Sequence, residues 1–289
     1  MMSKHGAIVT NGFLLFPEFS YCRDRLKDEF ARRGVEIDSI TSTDSLTLIP
    51  KQEGPAYDFL IYLDKDPYLA CYLEKTGRRL FNKAESIRIC DDKGLTHLQL
   101  DGVVPMPKTV LAPLNYSNGI SLPYLEKVAQ ELGFPLVAKK SFGSRGMGVR
   151  LVESFEGLVA LETEWKGLPH LYQRFISASA GKDHRLIVIG GRFLCGYERR
   201  AKGDDFRSNL GLGGEGYPCQ ISQKEIELAE TAARRLGLDY CGVDLLFEED
   251  GSPLLCEVNS NAFFEGAENV TGVNVAKAYC EHILISIGA

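Results

Sequence analysis

Apolar and polar positions switch between two periods along the first part of the chain. Gly6 to Thr10 is a short apolar run of the kind a buried strand shows. From Ser20 to Arg33 the period becomes helical: Cys22, Leu26 and Phe30 share one face, Ser20 stands at the N-cap and Gly34 follows as a stop. Asp58 to Asp64 reads as a second buried strand, and Tyr68 to Leu73 starts another helix. Strand and helix in alternation predict a small α/β unit built on a parallel sheet.

A break follows near Cys90-Asp91-Asp92, and the proline- and glycine-rich stretch from Asp101 to Pro107 is a connection. A helix is predicted from Ser121 to Leu132, with Leu125, Val128 and Leu132 on one face and Gly133 as its stop. From Pro135 the pattern changes to hairpins. Pro135 to Lys140 and Val149 to Glu153 flank a glycine loop; His184 to Ile189 and Arg192 to Tyr197 flank Gly190-Gly191; Gly242 to Phe247 and Pro253 to Asn259 flank Asp250-Gly251. Ser222 and Glu225 form a capping box that opens a helix with Ile226, Ala229, Ala233 and Leu236 on one face and Gly237 after it. A last helix runs from Asn274 to Ile287. The expected organisation is therefore α/β over residues 1–90 and hairpin-rich α+β over 91–289, an order that disfavours a plain Rossmann dehydrogenase.

Composition narrows the class. The 289 residues are 44% hydrophobic and 25% charged, which excludes a disordered or fibrous chain. The apolar runs are too short to span a bilayer, and Met-Met-Ser-Lys-His-Gly leads into no signal-peptide core, so a cytoplasmic protein without a membrane partner is expected. Lys plus Arg total 33 against 39 for Asp plus Glu, a net charge of −6, and this argues against nucleic acid as a main partner. The eight cysteines include no C-x-x-C pair, so they are expected to be reduced and mostly in the core rather than on zinc.

Three stretches carry candidate chemistry. In the first, Lys139 is followed by Gly143, Ser144, Gly146 and Gly148 at a hairpin tip. Such a loop lets backbone N–H groups approach a phosphate, although a mobile turn would use the same glycines. In the second, taking Asp250-Gly251 as the two central turn residues sets Asp244 opposite Glu257, with Asn259 on the same face. Three oxygen ligands among strongly apolar neighbours suit Mg²⁺ better than zinc; a solvated polar face is the alternative. In the third, Arg199, Arg200 and Arg207 follow Arg185, a grouping that fits bidentate capture of carboxylate or phosphoryl groups, or else a solvated face.

Taken in order, six stretches resemble the ATP-grasp superfamily, and more narrowly its RimK-like amino-acid ligases. They are Asp92-Lys93, Lys139 with its glycine loop, Gln173-Arg174-Phe175-Ile176, Lys182-Asp183-His184-Arg185, Glu198 to Asn209, and Asp244 with Glu257-Val258-Asn259. They extend from Asp92 to Gly272. The resemblance implies a Rossmann-like pre-grasp domain ahead of an ATP-grasp fold, whose flap subdomain would cover about 108–172 and whose C-terminal subdomain about 173–289. It implies that Lys93 and Lys139 approach the ATP phosphates. Gln173, Arg174 and Phe175 would form the adenine linker, and Asp183 would meet the ribose. Arg207, Ser208 and Asn209 would lie near the γ-phosphate. Asp244, Glu257 and Asn259 would hold one or two Mg²⁺ ions, with Mn²⁺ as a substitute. Arg185 with Arg199 or Arg200 would hold the carboxylate or the acyl phosphate. His184 alternates away from this face and reads as structural. Two departures stand out: Arg174 where an acidic residue is common, and Asn261-Ala262-Phe263-Phe264 where the family often has a proline–glycine turn.

The implied activity is an ATP-dependent carboxylate–amine ligase acting through an acyl phosphate. It would join an amino acid such as glutamate to a small-molecule or peptide carboxylate. A kinase on the same fold and a nucleotide-binding regulator are the rivals, and homo-oligomerisation is left open.

Overall fold

The computed structural model describes residues 4–13, 17–44, 57–117, 119–203, 205–208 and 210–289. Among them the first sheet is parallel, in the order β2-β1-β3-β4, with β1 at His5–Thr10, β2 at Glu36–Thr41, β3 at Phe59–Leu63 and β4 at Arg79–Phe81. Helix α1, Pro17–Ala31, starts earlier than the pattern suggests. Proline presets the backbone for a first turn, so Ser20 lies inside the helix rather than capping it. Helix α2, Pro67–Lys75, is capped by Asp66, which accepts from the N–H groups of Tyr68 at 2.9 Å and Leu69 at 3.3 Å. The break near residue 91 is a junction between two helices, α3 at Ala84–Asp91 and α4 at Lys93–Leu100. Asp92 ends one and caps the other, accepting from Gly94 N at 2.8 Å and Leu95 N at 3.2 Å.

The second sheet has the order β5-β8-β6-β7. Its strands are β5 Thr109–Leu111, β6 Leu136–Lys140, β7 Val149–Val152 and β8 His170–Arg174. Helices α5, Leu122–Leu132, and α6, Phe155–Trp165, cover one face, where Leu125, Val128, Leu158 and the fully buried Trp165 pack on Ala138 and Tyr172. The third sheet is antiparallel with the order β11-β10-β9-β12-β13. It consists of β9 Lys182–Ile189, β10 Arg192–Arg200, β11 Glu215–Tyr217, β12 Tyr240–Phe247 and β13 Pro253–Asn259. Helix α7, Gln223–Arg235, opens on the Ser222–Glu225 capping box and buries Leu228, Ala229, Ala232 and Ala233 on Leu186, Val188, Val243 and Leu245. Leu228 and Ala232 therefore take the place expected of the half-buried Ile226.

After a short helix α8, Glu265–Thr271, helix α9, Val275–Ser286, returns to the start of the chain. Its Tyr279 and Ile283 share one core with Ile8, Leu26, Phe30 and Phe59 of the first sheet layer. Asn82 fastens that layer to the third sheet. Its amide donates to the carbonyls of Tyr240 at 2.7 Å and Ser260 at 2.8 Å, while its oxygen accepts from Asp239 N at 2.6 Å and Tyr240 N at 3.0 Å. All eight cysteines are free, and Cys22, Cys90, Cys195, Cys241 and Cys280 are buried. Among the described residues no helix is long and apolar enough to cross a membrane.

Candidate active site

The site is built on one face of the third sheet, and two β-bulges set its register. The Gly190-Gly191 hairpin pairs Ile189 with Arg192, and an unbroken count would set Arg199 opposite Lys182. A bulge at Leu194 shifts the pairing by one, so Arg199 stands opposite Asp183 and Tyr197 opposite Arg185. The second hairpin is closed by Glu248 N to Ser252 O at 3.0 Å and Gly251 N to Glu248 O at 2.9 Å. Asp250-Gly251 is thus not a two-residue turn, and Phe247 pairs with Pro253. That register alone would set Asp244 opposite Cys256. A bulge at Cys256 restores the expected partner, Glu257, and Asn259 follows on the same face opposite Gly242. At Gly242 an added Cβ would lie 2.6 Å from Ala262 and 3.0 Å from Arg185, so the close approach there requires glycine.

The outcome is a buried row of alternating charge. Arg199 donates from Nε and Nη2 to both Asp183 oxygens, at 2.7 and 2.6 Å, and its Nη2 lies 2.9 Å from Asp244. Arg185 holds Asp244 with two hydrogen bonds, and Ser208 Oγ donates to Asp183 at 2.6 Å. Burial acts to raise the Asp244 carboxyl, but the Arg185 and Arg199 guanidiniums outweigh it and hold the group below its usual range. Glu257 and Asn259 have no hydrogen-bond or ion-pair partner among the described residues. On the opposite sheet face His184 meets Glu225 at 2.6 Å and the Phe247 ring edge-on at 4.6 Å, which agrees with a structural role.

The flap sheet faces this row. Lys139 is buried on β6, and its ammonium donates to Gln173 Oε1 at 2.7 Å and lies 3.8 Å from Cys256 Sγ. Burial raises the Cys256 thiol and outweighs the nearby Lys139. Lys93, at the start of α4, donates to Gly143 O at 2.8 Å. The glycine loop itself has φ of 130° at Gly143, 58° at Arg145, 74° at Gly146 and 75° at Gly148, a left-handed path that glycine follows without strain. Arg207 donates across the cleft to Gly146 O at 3.0 Å, and Arg145 reaches Glu18 of α1 at 2.6 Å.

Most of the expected residues thus meet at one cleft: Lys93, Lys139, Gly143, Ser144, Gly146, Gln173 to Phe175, Asp183, Arg199, Arg207, Ser208, Asp244 and Glu257 line it, while Arg185 and Asn259 line the adjoining cavity and Gly148 lines neither. Nor does Arg200. It follows Arg199 on a strand, so its side chain points to the other face, where it pairs with Glu198 and lies 4.7 Å over the Tyr217 ring. The Arg174 side chain turns outward to Glu248, with one contact at 3.3 Å. Asn209 lies outside the described residues. Sequence reasoning missed Phe206, which lines the cleft with its ring edge-on to Phe175 at 6.1 Å. It also missed Glu18, Phe19 and Lys65, which the first sheet layer and its helix α1 contribute to a second chamber of about 400 Å³. The only local signal was Phe206 standing between Asp205 and Arg207. The other three are brought near by the packing of the domains, which no local pattern encodes.

Two α+β layers closing on a glycine loop and a buried charge row define an ATP-grasp fold. A sequence model of the RimK-like ATP-grasp domain matches residues 82–283, and the chain belongs to that family. N-acetylaspartylglutamate synthase A of Homo sapiens is 32% identical over 223 residues, which is 76% of this chain and 56% of that protein. The chain therefore spans about half the length of that relative. A probable alpha-L-glutamate ligase of Psychromonas ingrahamii is 33% identical over 277 residues, 89% of this chain and 88% of its own length. In fold, the chain is similar to D-alanine–D-alanine ligase of Bacillus anthracis, with a TM-score of 0.76 at 18% identity over 99% of this chain and 97% of that one.

Proposed function

We propose that the protein is an ATP-dependent carboxylate–amine ligase. The observation that carries this reading is the junction of two cavities. The nucleotide-side cleft and the second chamber share Ser144, Arg145, Arg199 and Glu257 as a common wall. A phosphate held under the glycine loop would meet a substrate from the chamber at that wall. In this reading Lys93 and Lys139 contact the phosphates, the Phe175–Phe206 side holds the adenine, and Asp183, braced by Arg199 and Ser208, meets the ribose.

The substrate carboxylate displaces ADP from the γ-phosphorus and becomes an acyl phosphate. The ammonium gives up a proton to solvent, the free amine attacks the carbonyl carbon, phosphate leaves, and the nitrogen loses its second proton to leave the amide. Arg185, Arg199 and Arg207 orient and neutralise the anionic groups, the kind of positioning that phosphoryl transfer needs. The donor set Asp244, Glu257 and Asn259 is all oxygen, and two of its members have no internal partner, which fits a hard divalent cation. Mg²⁺ bound there would supply charge neutralisation on the phosphate oxygens. Glutamate as the amine and a dicarboxylate as the acid follow the relatives' names.

The test is an ADP-release screen of amino acids, dipeptides and dicarboxylates in pairs, with ATP and Mg²⁺. Release that requires both an acid and an amine supports the ligase. Release without an amine, with a stable phosphorylated product, replaces it with a kinase. ATP binding without release in any pair replaces it with a regulator. Within this reading, Lys139→Ala is expected to weaken ATP binding by about ten- to a hundredfold, the effect of losing one charged hydrogen-bond donor. Calorimetric titration with a non-hydrolysable analogue measures it, and an unaltered dissociation constant removes Lys139 from the phosphate site.

A further inference from the structure

The second chamber has a charge pattern of its own. Its cations are already committed inside the protein. Arg185 and Arg199 are held by Asp244 and Asp183, Arg145 by Glu18 at 2.6 Å, and Lys65 by Asp91 at 3.4 Å. Asp64, on the same wall, accepts two contacts from Asn11, at 3.1 and 3.2 Å. Two charged lining groups have no hydrogen-bond or ion-pair partner among the described residues, and both are carboxylates, Glu257 and Glu265. Glu257 also borders the nucleotide cleft, whereas Glu265 borders the chamber alone. Asn261 and Asn269 line the same chamber and are likewise without internal partners. The facing wall is apolar: Phe19 of α1 meets Phe263 edge-on with ring centroids 4.8 Å apart.

A half-buried carboxylate left unpaired in a chamber whose cations are all held by other carboxylates favours a cationic group on the ligand, and the neighbouring amide oxygens can accept from the same group. Of the two substrates in the proposed reaction, the amine is the one that brings an ammonium group. We infer that Glu265 anchors the ammonium group of the amine substrate, with Asn261 and Asn269 beside it. The Phe19–Phe263 edge takes the substrate's carbon skeleton. This inference rests on the ligase reading and adds the residue that selects the nucleophile. A chamber of about 400 Å³ suits an amino acid or a short peptide end.

The test compares two nucleophiles for one acyl phosphate. Hydroxylamine is uncharged at neutral pH and traps the intermediate as a hydroxamate without needing an ammonium site. ADP release is measured for the wild type, Glu265→Gln and Glu265→Asp, with a panel of carboxylates and either an L-amino acid or hydroxylamine as the nucleophile. Glu265→Gln is expected to lower the amino-acid to hydroxylamine ratio of kcat/KM by about tenfold or more, the loss of one charge-assisted contact. Glu265→Asp, which keeps the charge, should retain most of the ratio. A smaller fall in the glutamine variant, with an unchanged melting temperature, overturns the inference while leaving the ligase intact. Absence of hydroxamate from the wild type with every carboxylate removes the ligase reading, and this inference with it.

Discussion

Glu257→Ala is expected to lower ADP release by about a thousandfold or more while leaving the fold unchanged. Glu257 stands directly opposite Asp244 and borders both cavities, yet among the described residues nothing holds its carboxylate. A charge left unpaired in a half-buried position costs some stability, so its retention points to a ligand. Removing it takes away ligand binding and, by the same argument, costs little or no folding energy. The measurement pairs an ADP-release assay across a Mg²⁺ titration with far-ultraviolet circular dichroism and a thermal melt. Raising Mg²⁺ should not restore the alanine variant. Activity near that of the wild type, with an unchanged spectrum, would refute the assignment.

Arg199→Met should behave in the opposite way, losing about 3–5 kcal/mol of folding stability along with activity. Arg199 is buried and bridges Asp183 and Asp244, so its removal leaves two buried carboxylates facing an apolar methionine. The pH dependence gives a second signature. In the wild type the Asp244 carboxyl lies below its usual range, because two guanidiniums outweigh burial. That contribution is complete above the unfolded-state value of about 4 and is lost as the pH falls through the folded-state value. Without Arg199 burial weighs more, so the folded-state value moves upward, and the folded form then prefers the protonated acid. The stability deficit of the variant should therefore shrink as the pH is lowered toward 4. Urea unfolding at several pH values measures both effects. A deficit under about 1 kcal/mol, or one that grows with acidity, would count against a buried ionic row.

The hairpins and long helices were legible because their signals are local. Ser222 and Glu225 make a capping box, Gly190-Gly191 a tight turn, and Asn274 does cap the last helix through Lys277 N at 2.8 Å. Strand β2 went unread because Glu36–Thr41 lies at the sheet edge and mixes acids and hydroxyls with its apolar residues. Helices α3 and α4 are eight residues each, too short for a period to stand out. At the site, the Asp244–Glu257 pair was read correctly from two errors that cancel. The Asp250-Gly251 loop is one residue longer than assumed, and the bulge at Cys256 returns that residue. The bulge at Leu194 had no such counterpart in the reading. The link between Arg199 and Asp183 consequently stayed hidden, although both residues had been singled out. The role of Arg200 failed on strand parity alone, since adjacent residues on a strand face opposite ways.

The return of helix α9 to the first sheet layer sets an order on assembly. Residues 5–63 are made early on the ribosome, but the core around Ile8, Leu26 and Phe30 is completed by Tyr279 and Ile283. The first sheet layer therefore cannot complete its core until the last helix has been made. Until α9 has emerged, the apolar face of α1 lacks the side chains that cover it in the folded protein.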